Sequence, residues 1–342
     1  MNKKTALKSL KYIASLLFAF LILYLLFNNQ DPKEMIKEMQ QADIKWLILS
    51  MIFGGWAYVN RGLRWVVILN SLGYKSSKLN SISSVSIGYL TNLLIPRAGE
   101  LSRCTALNQA EKIPINKLFG TILVERVLDF ICLILLIFLI LILKSNEILD
   151  FYNTLLSHQI EKNGTQTFTL FCSIILACIL FFYFIKRWGK KTILYQKTAE
   201  FIIGIGEGFK SIKEMKYNSL FWFHSISIWV MYFLMTYVCF FSMQETSHLT
   251  VSDGFFLLAL GGIGMVIPTP GGIGSYHAIV MIGLAFLGVG NVFLGEGGDP
   301  TNPALIFPTM VHLAQTLVAI IMGLIALLIL FLSKKRKDEA SS

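Results

Sequence analysis

Apolar runs of membrane length follow one another along this chain, separated by short polar stretches. A transmembrane helix needs about 20 apolar residues. The pattern predicts six crossings, near residues 12–27, 46–66, 119–143, 167–185, 219–242 and 303–332. Two more apolar regions, 80–110 and 254–290, are interrupted. The first breaks through Pro96, Arg97 and Gly99, the second through Pro268, Pro270, Gly271, Gly272 and Gly274. In each, the run stops at a proline, turns through glycine and restarts. Non-helical backbone at membrane depth is tolerated only where protein or a water-filled cavity satisfies its polar groups. Paired interruptions in two halves of a chain point to a transporter binding site. Each broken region reads as a re-entrant hairpin or as a pair of full crossings, and both return the chain to the side it left. The predicted fold class is an all-α polytopic membrane protein with about six crossing helices, two Pro/Gly-broken helical hairpins and an inverted repeat.

Charge sets the sidedness. With the N-terminus inside, 25 of the 30 Lys and Arg residues fall in inner stretches and 5 in outer ones, the bias expected of cytoplasmic loops. This predicts both termini on the cytoplasmic side of a bacterial-type inner membrane. The first broken hairpin then enters from the inner face. The second enters from the outer face, between the acidic stretch Glu245 to Asp253 and the pair Glu296 and Asp299. The longest inner stretch, 186–218, holds eight basic residues with Phe201, Ile202, Ile205, Phe209 and Ile212 at helical spacing. It reads either as a loop helix packed on the inner face or as an interfacial helix touching anionic head groups.

Composition narrows the class further. The chain is 55% hydrophobic and 15% charged, with mean hydropathy +0.64, where soluble domains carry about 25% charged residues. Apolar segments run end to end, so we expect one integral membrane domain over 1–342, with half 1 about 1–143 and half 2 about 167–332. The net charge of +10 fits cytoplasmic loops rather than nucleic-acid binding, because no long basic patch lies outside the segment flanks. Cys104, Cys132, Cys172, Cys178 and Cys239 lie in or beside apolar runs and read as small buried hydrophobes. The first run lacks a small-x-small cleavage site and is expected to stay as an uncleaved helix.

Charged residues inside spans cost roughly 2.5–3.5 kcal/mol each on insertion scales, so each needs a reason. They cluster in the first half. Arg61, Arg64 and Trp65 close the second helix; Arg97, Glu100 and Arg103 sit in or just after the first break; Glu125, Arg126 and Asp129 open the third helix. Glu125 and Asp129 share a helical face, and Glu100 and Arg103 are also neighbours. Two readings stand side by side. The charges pair and lock the helices, or surplus arginine binds an anionic head group, for which the planar guanidinium fork is suited. Free N–H groups at Gly99 and Glu100 would add an anion site, and Asn92 lies beside them. Arg97, Arg103, Arg64, Glu100 and Asn92 are therefore the head-group candidates, and Arg61, Glu125, Arg126 and Asp129 the ion-pair candidates. The second break carries no charge. Gly271 to Gly274 are expected to start a helix, followed by His277, which is either a solvated cap or a phosphate partner.

The strings Asn92-Leu-Leu-Ile-Pro96-Arg97-Ala-Gly99-Glu100-Leu-Ser-Arg103, Glu125-Arg126-Val-Leu-Asp129, Arg61-Gly-Leu-Arg64-Trp65 and Pro268-Thr-Pro270-Gly271-Gly272-Ile-Gly274 resemble signatures of the lysylphosphatidylglycerol synthase transmembrane region, also called the flippase-like or UPF0104 family. The resemblance covers nearly the whole chain, with four motifs in order. In larger relatives, the multiple peptide resistance factors, this region is linked to flipping of aminoacylated phosphatidylglycerol, and a cytosolic domain transfers lysine. The chain ends at Ser342, soon after its last apolar run, so the resemblance implies a stand-alone flippase-like protein without the transferase. His277 stands about where the family pattern often has a Glu.

The expected function is translocation of an anionic or phosphate-bearing lipid, with a cavity between the two hairpins and the Pro/Gly breaks as moving parts. No P-loop motif is present, and neither a cofactor nor a metal is implied. Membrane lipid is the expected partner, and self-association is left open. A membrane transferase using Glu100, Glu125 and Asp129 on a lipid-linked substrate is the alternative, and a scaffold for a partner enzyme is a third reading.

Overall fold

A computed structural model of the protein describes residues 3–28, 30–145, 147, 218–292 and 301–341. The predicted span 167–185, the connector 186–218, Cys172, Cys178, Glu296 and Asp299 lie outside them. The chain divides into two compact units, residues 1–126 with 216–342, and residues 127–215.

Secondary structure is helical throughout the described residues: α1 (Lys3–Phe27), α2 (Pro32–Gln41), α3 (Ile44–Ser71), α4 (Lys78–Leu94), α5 (Gly99–Glu111), α6 (Ile115–Leu143), α7 (Asn218–Tyr237), α8 (Val251–Val266), α9 (Ser275–Phe286) and α10 (Pro303–Ser341). Polar residues between apolar runs start them. Asp31 accepts the Lys33 amide at 2.8 Å with Pro32 in the first turn, and Asp43 accepts that of Lys45 at 3.1 Å. Thr250 and Asp253 cap α8 reciprocally, at 2.7 and 3.4 Å, which satisfies two of the amides a helix start leaves orphaned.

Residues 115–143, 218–242 and 303–333 are long and apolar enough to cross a bilayer, and α1 with α2 forms a pair bent by 83°. Helix α3 has 28 residues but carries Asn60, Arg61 and Arg64 inside it, all buried, which lowers its hydropathy below that of the other three. The two broken regions are short helices. At about 1.5 Å per residue, the 17 residues of α4 reach about 25 Å and the 12 of α9 about 18 Å. Both fall short of a hydrocarbon core of roughly 30 Å, so re-entrant hairpins fit better than full crossings.

Each hairpin has its own apolar core. Trp65, Leu69, Val85, Cys104, Leu107, Leu118 and Ile122 pack around the first, and Phe240, Leu257, Val280, Leu284 and Phe307 around the second. Helix α10 lies against α4 of one hairpin and α9 of the other, and α3 packs along α7. Close approach within the first hairpin depends on glycine. A Cβ on Gly88 would stand 2.8 Å from the Gly99 carbonyl oxygen.

Candidate functional site

Two prolines explain what the second break needs. In α8 the carbonyls of Gly264 and Val266 would accept from the amides four residues on, which are Pro268 and Pro270 and have no N–H. Side chains from elsewhere in the chain supply the donors. Ser275 Oγ donates to the Gly264 carbonyl at 2.9 Å, and Arg97 Nη2, from the other break, donates to the Val266 carbonyl at 3.2 Å. Ser15 on α1 donates to the Pro268 carbonyl at 2.5 Å. His312 Nε2 on α10 meets the Gly271 carbonyl at 2.9 Å. Four carbonyls at membrane depth are thus satisfied by α1, α9, α10 and the first break, as buried polar groups require.

The expectation that Gly271 to Gly274 open a helix is corrected. The glycines form a tight turn with positive φ at Gly271, Gly272 and Gly274, and α9 starts at Ser275. His277 is neither solvated nor beside a charge. It is buried, its Nδ1 lies 3.4 Å from the Gly274 amide, and its ring lies 4.8 Å from that of His312.

At the first break Asn92 crosses the turn, and its Oδ1 accepts the Gly99 amide at 2.7 Å. That N–H, expected to be open to an anion, is already capped. Arg97 is exposed and holds a left-handed backbone, φ +61°. Pro96 is half-buried and Pro268 exposed, whereas Pro270 is buried. The two breaks touch. A Cβ on Gly271 would stand 2.9 Å from Leu93 Cδ2, so the two breaks are in van der Waals contact at this point.

The arginines sort by depth. Arg64 and Arg103 were expected to hold a head group, but both turn to the fully buried Glu125 carboxylate, at 3.5 and 2.7 Å. Arg103 also stacks on the Trp65 ring at 4.1 Å, and Trp65 Nε1 donates to Thr121 Oγ1 at 2.7 Å. These groups lock α3, α5 and α6 together. Arg61 is buried too and donates from Nε to the Tyr232 hydroxyl at 2.6 Å. Tyr232 in turn meets Tyr89 at 3.2 Å, and Tyr89 stacks on Tyr58. Glu100, the neighbour of Arg103 in α5, pairs instead with Arg126 at 2.7 Å, and both side chains stay partly exposed, 35% and 42%. Asp129 follows on α6 in the second unit.

Glu100 and Arg126 line a shallow, open cleft in the first hairpin, together with Val85, Gly88, Tyr89, Asn92, Gly99 and Arg103. Its wall carries a half-exposed cation and anion around a helix start. Sequence reading missed the Asn60–His224 contact at 2.9 Å and the roles of Ser15, Ser275 and His312. The prolines were a signal for Ser275 alone among the last three, because Pro268 orphans the Gly264 carbonyl it fills; the carbonyl orphaned by Pro270 goes to Arg97.

Comparison with known proteins agrees with this architecture. The chain is 30% identical over 120 residues, 35% of its length, to Glycosyltransferase AglD of Haloferax volcanii. It is 29% identical over 126 residues, 36% of its length, to a UPF0104 membrane protein of Methanocaldococcus jannaschii. It spans 19% and 38% of those relatives' lengths. No solved structure matches. The lysylphosphatidylglycerol synthase TM region matches residues 12–323, nearly the whole chain. With residues 12–323 matched, helical hairpins broken at Pro96 and Pro268, and a buried arginine–glutamate lock joining α3, α5 and α6, the chain belongs to that family of membrane proteins.

Proposed function

We propose that this protein moves a lipid with an anionic, phosphate-bearing head group between the leaflets of a membrane. One observation carries the reading: the cleft of the first hairpin, where the Glu100–Arg126 pair is half-exposed, with Arg97 exposed at the same break. Exposed ion pairs contribute roughly 0–1 kcal/mol, so a phosphate can replace Glu100 on Arg126 at little cost and gain a bidentate contact. The cleft is open rather than enclosed, so a head group would meet Arg126 at its wall while the acyl chains stay in lipid. Arg103 sits behind the pair as a fixed positive wall, held by Glu125 and Trp65. Hairpins entering from opposite faces, as the charge bias predicts, would allow alternating exposure of this cleft.

Reconstitution in liposomes with labelled phosphatidylglycerol tests it. Leaflet exchange is expected to exceed that of protein-free vesicles, and Arg126→Ala is expected to slow it about tenfold, the worth of one charge-assisted hydrogen bond. Equal exchange with and without protein refutes the reading for that lipid.

The match to a glycosyltransferase favours a second reading, transfer to or from a lipid-linked substrate. Such chemistry needs a carboxylate available as acid or base, and Glu100 and Glu125 are engaged by arginines. Sugar transfer by the purified protein to a lipid-linked acceptor would establish this second reading in place of the first.

A further inference from the structure

The contact between the two breaks rests on a donor that an anion can take away. Pro270 leaves the Val266 carbonyl without its helical partner, and Arg97 Nη2 fills that role across the junction. Val266 ends α8, where the helix dipole concentrates negative potential and favours a cation. A phosphate is a stronger acceptor for guanidinium than a neutral carbonyl is, because both partners are charged. Arg97 is exposed on its side of the junction, and so is Val266, so an anionic group outside the protein can reach it. The remaining ties of the second break go to Ser15 on α1 and His312 on α10. The Arg97 bond is therefore a polar link between the hairpins, beside the apolar contact of Leu93 with Gly271.

We propose that Arg97 is an anion-released latch: a lipid phosphate that engages its guanidinium withdraws it from the Val266 carbonyl and frees the two hairpins to separate. The substrate thereby opens its own path, and the hairpins stay closed while no anionic head group is present. This rests on the translocator reading and adds the step that starts the movement. Arg97 acts here as a positioning residue for the second break as well as a head-group contact.

Hydrogen exchange of the amides between 267 and 274, followed by mass spectrometry in nanodiscs, reads the latch directly. In zwitterionic lipid, Arg97→Ala is expected to exchange about tenfold faster than the unaltered protein, the factor for one hydrogen bond to a charged group. The unaltered protein is expected to move to that faster rate when phosphatidylglycerol is added, while Arg97→Ala does not change further. Inorganic phosphate alone is expected to leave the rate unchanged, and release by it would overturn the lipid as the source. Equal rates for Arg97→Ala and the unaltered protein overturn the latch. So does a fast Arg97→Ala beside an unaltered protein that ignores anionic lipid, an arm that needs no variant to fold. Leaflet exchange on the same preparations separates the two ideas. A working latch with no exchange sinks translocation and leaves the latch standing.

Discussion

Glu125 shows how one buried residue organises a membrane interior. Its carboxylate is fully covered and takes contacts from Arg64 and Arg103. Charged groups out of water are tolerated only with such partners. Glu125→Gln is therefore expected to lower stability by about 3–5 kcal/mol, the usual effect of breaking a buried pair from one side, seen as a large fall in the thermal unfolding midpoint in detergent. Glu100→Gln breaks a half-exposed pair and is expected to lower it by less than about 1 kcal/mol, while changing head-group affinity. The sequence made the clustering of these residues legible, because charge inside apolar runs is conspicuous. Their partners were not legible. Glu100 and Arg103 are three apart on one helix, yet each reaches across to α6, Glu100 to Arg126 and Arg103 to Glu125. Spacing on a helix fixes which groups share a face, whereas partner choice depends on which neighbouring helix that face meets.

At the scale of elements, the hairpins depend on a few local devices. Asn92→Ala removes the cap on Gly99 and is expected to cost about 1 kcal/mol, as for other helix caps. Gly88→Ala places a methyl against the Gly99 carbonyl and is expected to destabilise by about 1–3 kcal/mol through overpacking. Both are checked by thermal unfolding. The prolines and glycines located both breaks in the sequence, since no other residues interrupt an apolar helix so reliably. Their exact turns were less legible. Gly271 to Gly274 read as a helix start, yet positive φ at three of the four positions makes them a turn, and helix α9 waits for Ser275.

For the whole molecule, the bias of basic residues makes a prediction about sidedness. Cysteines placed at Lys75 and Lys112 are expected to react with a membrane-impermeant maleimide from the cytoplasmic side, and one at Lys37 from the outside. Labelling of Lys37→Cys and Lys112→Cys from the same side would overturn the predicted sidedness. The family match over residues 12–323 and the helices long enough to cross establish a polytopic membrane protein. Which lipid it carries is a property of the cleft, which the leaflet-exchange experiment addresses.

By itself the sequence determined the membrane class, the helical architecture, the sites of the two breaks and the concentration of charge near the first of them. These are local properties: run length, proline, glycine and charge act on the residues beside them. The tertiary structure decided that Arg64 and Arg103 are buried on Glu125 while Arg97 and the Glu100–Arg126 pair remain accessible. It also decided that the breaks touch, and that Ser15, Ser275, Arg97 and His312 supply donors to carbonyls of the second break. Those outcomes depend on contacts between residues as far apart as 15 and 268. Only the packing of one helix on another brings such residues within hydrogen-bonding distance.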